Sequence, residues 1–240
     1  MSQRYFVEVP IEDEHVELAG GEAHHLLHVM RCRLGEKVVL FDGRGAEFDA
    51  TVTQLGRSVV RLVVIAKRLV DRELTVALHL GVALPKGDRQ RWLIEKAVEL
   101  GVTRLTPLVT TRGVAQPTET ALERLQRAGI EAAKQCGRNR LMEIAEPIDL
   151  AAFCQRSPSD QTRWLAHVAG QPLGKQAFPS SLPASIAAAV GPEGGFTDQE
   201  VQTACGLGWQ AVTLGPRILR VETAAIALAA HVAVLGDQNA

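Results

Sequence analysis

From Leu74 onward the sequence alternates short apolar runs with helix-length amphipathic stretches, and that alternation leaves few folds open. LTVALHLGVAL reads as an apolar strand. DRQRWLIEKAVELG reads as a helix, with Trp92, Ile94, Ala97, Val98 and Leu100 at helical spacing and Gly101 at its end. RLTPLVT is a second strand, TETALERLQRAGIEAAKQCG a second helix, and LMEIAEPIDL returns to extended text. WLAHVAG, SIAAAVGPEGG and WQAVTLGP supply three more apolar strands before a last helix from about Val221 to Leu235. Strands separated by helices pair through crossovers, so an α/β domain with a largely parallel sheet is expected.

The first seventy residues read differently. RYFVEV, KVVLF, EFDATVTQL and SVVRLVVIAK are short, β-rich runs, and Asp42-Gly43 with Arg44-Gly45 marks a hairpin between two of them. One helix, GGEAHHLLHVMRCRLGE, interrupts and is expected to stop at Gly35. Several short strands must hide their edges, so a small barrel-like β domain is expected, ending in the charged connector KRLVDRE. The boundary falls between a 1–72 domain and a 73–240 domain.

Composition narrows the partners. Hydrophobic residues are 46% and charged residues 22% of the 240, which supports ordinary cores without metals or disulfides. The net charge of −1 gives no general attraction to polyanions, so an RNA partner requires basic residues gathered on one face. Cys32, Cys136, Cys154 and Cys205 show no CxxC spacing, which fits scattered thiols in a reducing compartment. The opening MSQRYFVEVPIEDEH lacks a signal-peptide run, and Ala224–Leu235 is shorter than the ~20 residues a membrane helix needs. A cytoplasmic protein without a membrane segment is expected.

Two loops carry the chemistry. Val190-Gly191-Pro192-Glu193-Gly194-Gly195-Phe196-Thr197 follows a buried strand, and its glycines let backbone approach a ligand closely. A plain strand-to-helix turn capped by Thr197 or Asp198 accounts for the same text equally well. Leu214-Gly215-Pro216-Arg217-Ile218-Leu219-Arg220-Val221-Glu222-Thr223-Ala224-Ala225 follows the last strand and opens the last helix. There Glu222 suits the positive end of a helix, but two arginines after Gly-Pro in an apolar segment remain unexplained by packing.

Taken together, GPEGGFTDQEV followed by LGPRILRVETAAIAL closely resembles the signature of the SPOUT methyltransferases, and specifically the RsmE-type ribosomal small-subunit RNA uridine-N3 methyltransferases. The resemblance extends to KGDRQRWLIEKAVELGVTRLTPL, to EAAKQCGRNRLMEI, and at the N-terminus to RYFVEV and MRCRLGE. It implies a PUA-like RNA-binding β domain, a parallel-sheet domain with a C-terminal trefoil knot, S-adenosylmethionine as cofactor, and a homodimer. The substrate implied is 16S rRNA or the small ribosomal subunit. No dinucleotide fingerprint or P-loop follows the first strand, which disfavours a nucleotide-dependent oxidoreductase.

Within that resemblance, adenosine needs apolar walls and exposed backbone groups. Leu165, His167, Gly191, Gly195, Leu214, Gly215, Ile218, Leu219 and Ala224 form the expected cofactor set. Uridine N3 must lose a proton, and Arg220, Glu222 and Glu193 are the candidate catalytic residues. Arg4, Arg31, Arg33, Lys86, Arg89, Arg138, Asn139 and Arg140 are the candidate RNA contacts. Arg91, Arg112 and Lys134 belong to the same basic text, for which a solvated surface is the alternative. His24 and His28 share a helix face, but with no third ligand evident no metal site is expected. Rival functions are methylation at another RNA position, such as the ribose 2′-oxygen, and a non-catalytic ribosome assembly factor.

Overall fold

A computed structural model of the chain describes residues 3–114, 117–173 and 183–237. Two compact units are present: Met1–Glu73 with Ala133–Leu141, and Leu74–Ala132 with Met142–Ala240.

The first unit is built on β1 (Arg4–Phe6), β2 (His15–Leu18), β3 (Lys37–Phe41), β4 (Ala46–Leu55) and β5 (Val60–Leu69). They form one sheet in the order β1-β3-β4-β5-β2, with β1 parallel to β3 and the remaining pairs antiparallel. The β3–β4 hairpin stands where Asp42-Gly43 placed it, with Phe41 opposite Glu47. Alternation along the strands buries Leu40, Phe48, Val52 and Leu62 in a single core beside Leu26 and Tyr5. RYFVEV pairs as a strand only through Phe6, and HVEL forms β2, which its four residues did not announce.

The expected helix ends early. α1 (Gly20–His24) runs into a π-helical turn, His25–Val29, closed by Met30 N–H to the His25 carbonyl at 2.9 Å. Arg31 then takes a left-handed φ of 52°, and Cys32 N–H turns back to the Leu26 carbonyl at 3.1 Å. Gly35 is therefore not the helix stop but the entry to β3, donating to the Val52 carbonyl at 2.8 Å.

The second unit holds β6 (Ala77–Val82), α2 (Arg89–Glu99), β7 (Arg104–Val109), α3 (Glu119–Cys136, whose last residues lie in the first unit), β8 (Glu143–Ile144) and β9 (Ile148–Asp149). There follow α4 (Leu150–Arg156), β10 (Thr162–Pro172), β11 (Ser185–Val190), α5 (Asp198–Gly206), β12 (Gln210–Thr213) and α6 (Val221–Asp237). The sheet runs β12-β10-β11-β6-β7-β8, with β9 also on β7, and every pair is parallel. Ile186 to Val190 are all buried, as a strand covered on both faces requires.

α2 packs along α6. Its buried face is Leu93, Ile94, Ala97 and Val98, whereas Trp92 is 45% exposed. Leu93 sits about 100° further round the helix and takes the inward place expected for Trp92. α4 begins at the last residue of the extended text LMEIAEPIDL and went unmarked in the sequence; Asp149 caps it by accepting from Ala152 N–H at 2.8 Å, and Leu150, Phe153 and Cys154 fill the core.

Candidate cofactor pocket and catalytic residues

Because β10, β11 and β12 run parallel, their C-terminal ends open on the same edge of the sheet, where α/β folds bind ligands. The loop after β11 carries Gly191 to Thr197, and the loop after β12 carries Leu214 to Arg220. β10 supplies a third wall through an irregularity. Ala166 and Gln171 both register with Val212, so the residues between them leave the ladder. Gly170 permits this, since a Cβ there would stand 2.5 Å from the Val212 backbone. The three segments enclose a cavity of about 350 Å³, within the size range of small-molecule sites.

His167, Gly191, Gly195, Leu214, Gly215, Ile218, Leu219 and Ala224 all line this cavity. Leu165 does not; it is fully buried in the core beneath, one residue before Ala166 on the wall. Gly195 and Gly215 hold φ of +68° and +110°, which side-chain-bearing residues rarely adopt. A Cβ at Gly195 would meet nothing within 4 Å among the described residues, so bare main chain is left uncovered by them. Ile218 is 86% exposed at the mouth, an apolar surface suited to a ligand wall. These features fit an adenosine-bearing cofactor: apolar surface, glycine backbone, and a few polar groups at the rim.

Both readings of the glycine loop hold at once. Thr197 and Glu200 form a capping box that starts α5, while the preceding glycines line the cavity. Glu200 also receives Thr111 N–H at 2.8 Å. Burial pushes its carboxyl up, but the hydrogen bonds from Thr111 and Thr197 outweigh burial and leave it below the usual glutamate value. Arg112, read as part of a basic track, instead lines the cavity and donates to the Gly194 carbonyl at 2.8 Å and the Phe196 carbonyl at 3.5 Å. Its place on the wall was not legible in the sequence, because its partners lie more than eighty residues away. Phe196, also unmarked, is buried beside Gly191.

The three catalytic candidates are not equivalent. Glu193 is half-exposed and lines the cavity. Glu222 is buried at the start of α6, where Oε1 lies 3.5 Å from Arg89 Nη1 and Oε2 has no hydrogen-bond partner among the described residues. Arg89 Nη2 lies 3.6 Å from Glu193 Oε1, so one guanidinium joins the two carboxylates. The Arg220 side chain is exposed, is not on the cavity wall, and forms no hydrogen bond or ion pair among the described residues.

The RNA candidates also divide. Arg31, Arg33, Lys86 and Arg140 are exposed. Arg138 and Asn139, by contrast, are buried and cannot serve as surface contacts. Arg138 Nε donates to Glu73 at 3.1 Å; Asn139 accepts from Arg4 Nη2 at 2.8 Å and donates to the Val70 carbonyl at 2.9 Å. Arg4 is spent the same way, its Nη1 lying 2.8 Å from the buried Glu47, which Arg68 and Arg72 also reach. Burial pushes the Glu47 carboxyl up, but Arg4 and Arg72 outweigh that and hold it below its ordinary range. Arg89 belongs to the carboxylate pair rather than to open surface. The His24 and His28 rings lie 4.8 Å apart, and no cluster of three metal-ligating residues occurs among the described residues.

Comparison with known proteins decides the family. An RNA methyltransferase domain model matches residues 72–233, and an RNA methyltransferase PUA domain model matches residues 18–65. The ribosomal RNA small subunit methyltransferase E of Synechocystis is 36% identical over 87% of this chain and 69% of its own length. That of Bacillus subtilis is 31% identical over 92% of each chain. This chain belongs to the ribosomal RNA small subunit methyltransferase E family. Its fold is shared accordingly. The Neisseria gonorrhoeae family member, solved bound to S-adenosylmethionine, superposes with a TM-score of 0.89 at 33% identity over 98% of both chains. A Legionella pneumophila protein, solved with bound S-adenosylmethionine, gives 0.90 at 30% identity over 98% of both chains. No helix among the described residues is long and apolar enough to cross a membrane.

Proposed function

We propose that this chain transfers a methyl group from S-adenosylmethionine to N3 of a uridine in 16S rRNA, acting in the cytoplasm as a homodimer. One observation carries the reading: a glycine-lined cavity at the ends of β10, β11 and β12 adjoins two carboxylates that share one arginine. The 73–240 domain is the methyltransferase, with the family's trefoil knot at its C-terminal end, and the 1–72 domain reads RNA.

His167, Gly191, Gly195, Leu214, Gly215, Ile218, Leu219 and Ala224 hold the cofactor, and Leu165 supports the wall from the core. When bound, S-adenosylmethionine supplies a methyl carbon activated by its sulfonium. Transfer is an in-line displacement, so the protein's contribution is positioning and proton removal. The N3 proton of uridine passes to a carboxylate, and the freed N3 electron pair forms the new bond to carbon as the carbon–sulfur bond breaks. Glu222 is the first choice of base, because it is linked to the cavity wall through Arg89 and Glu193 and its buried Oε2 has no hydrogen-bond partner among the described residues, leaving a lone pair for that proton. Glu193, on the cavity wall, is the second. Arg220, exposed beside the pocket loop, contacts the base or a phosphate of the bound RNA. Arg31, Arg33, Lys86 and Arg140 supply phosphate contacts from exposed positions.

The test is mass mapping of 16S rRNA from a strain lacking the gene and from the same strain carrying it back. The expected result is one 3-methyluridine that disappears and returns. A missing 2′-O-methyl group would move the chemistry to the ribose, and unchanged RNA would favour an assembly role.

A further inference from the structure

The glycine loop after β11 has little side-chain mass with which to hold its own shape, and the turn after β7 supplies the support. Arg112 Nη1 donates to the Gly194 carbonyl at 2.8 Å and the Phe196 carbonyl at 3.5 Å. Its aliphatic stem lies against Gly194, where a Cβ would stand 3.4 Å from Arg112 Cδ. Next to it, Thr111 N–H is fixed to Glu200 at 2.8 Å. The guanidinium is therefore anchored by main-chain acceptors while it lines the cavity. Its Nη2 and Nε form no hydrogen bond among the described residues. Arg217 is the other arginine on the wall, but it is exposed and makes no hydrogen bond among the described residues.

A guanidinium fixed through one nitrogen presents its remaining N–H groups in a planar fork, the geometry that matches a carboxylate. The cofactor's amino-acid end carries such a carboxylate. We propose that Arg112 holds the glycine loop in its binding shape and, from that fixed position, recognises the α-carboxylate of the cofactor's methionyl group. This rests on reading the cavity as the S-adenosylmethionine site. Arg112 takes no part in proton transfer; it is a binding and positioning residue.

The experiment is calorimetry on the full-length chain with two ligands that differ by one group. S-adenosylhomocysteine has the carboxylate, and S-adenosyl-3-thiopropylamine lacks only that. The wild-type chain is expected to prefer the first by tenfold or more. Arg112→Ala should weaken S-adenosylhomocysteine tenfold or more and the decarboxylated ligand less than threefold, so the preference collapses. Arg112→Gln keeps a donor for the two carbonyls without the charge, and it too should lose the preference; it also serves if the alanine variant fails to fold. Equal weakening of both ligands by both variants would overturn carboxylate recognition, as would a preference that survives in either. If the wild-type chain binds neither ligand, the cofactor reading itself fails, independently of Arg112.

Discussion

Arg89 Nη1 lies 3.5 Å from Glu222 Oε1, and the same guanidinium reaches Glu193 at 3.6 Å from its other terminal nitrogen. A single cation thus serves two carboxylates that the chain brings from the start of α6 and from the glycine loop. Glu222 is the buried partner, so removing Arg89 leaves a buried charge without its cation. Arg89→Ala is expected to cost about 1–3 kcal/mol in urea unfolding. Arg89→Ala combined with Glu222→Gln should cost less than the sum, by a double-mutant cycle. In single-turnover methylation with saturating cofactor, Glu222→Gln should slow the folded enzyme ~10²–10³-fold if it is the base. Additive stabilities together with a wild-type rate would remove the pair from the mechanism and leave Glu193.

Gly215 separates backbone strain from filled space. Its φ of +110° means that any side chain is strained, and among the described residues a Cβ there has only Arg217 nearby, at 3.8 Å. Gly215→Ala should lose about 1–2 kcal/mol of stability yet still bind S-adenosylhomocysteine. Gly215→Trp, adding bulk to the cavity wall, should abolish binding in calorimetry. Normal binding by a folded tryptophan variant would place the cofactor elsewhere.

His79 gives the second unit a pH dependence. Its ring is partly buried, 2.8 Å from Thr106 Oγ1 and edge-on to Phe153, and burial with Arg104 nearby lowers its pKa from 6.5 to about 4. The unfolded chain takes up that proton first as pH falls, so the stability is complete above about 6.5 and is lost between 6.5 and about 4. The loss amounts to roughly 3 kcal/mol over that window. Unfolding midpoints measured from pH 4 to pH 7 should slope less in His79→Gln; an unchanged slope would mean that His79 titrates normally.

Arg31 and Arg33 remain the exposed cations of the first unit on the stretch after its helix. Arg31→Glu with Arg33→Glu should raise KM for RNA and reduce the salt dependence of RNA affinity by up to about two phosphates' worth. Binding of S-adenosylhomocysteine should not change. This is a cleaner test than deleting residues 1–72, because Gly137 and Asn139 are held by Arg72, Arg4 and Val70 and would lose those partners. An unaltered KM would take these arginines out of RNA contact.

What the sequence made legible was periodic or rich in glycine. The parallel sheet followed from apolar runs such as SIAAAV, and the cavity wall from two glycine loops whose residues lie close in sequence. Short elements escaped: β2 has four residues and α4 seven, too few for a period to show. The sequence places Arg112 and Arg89 in basic surface text and Asn139 among the RNA contacts, yet one grips a loop, one bridges two carboxylates and one is buried. Their roles depend on partners 82, 133 and 135 residues away, which local pattern cannot register. The wall from β10 was legible at His167, but its slipped register was not, since that exists only against β12.

The most direct measurement is nucleoside analysis after reaction with a purified substrate. The full-length chain is incubated with S-adenosylmethionine carrying an isotopically labelled methyl group and with small ribosomal subunits from a strain lacking this modification. The RNA is then digested and its nucleosides are separated by mass spectrometry. The expected product is labelled 3-methyluridine, about one per subunit with wild-type protein and far less in the same reaction time with Glu222→Gln. Label recovered as 2′-O-methyluridine, or no labelled nucleoside at all from protein that binds S-adenosylhomocysteine, would contradict uridine-N3 methylation.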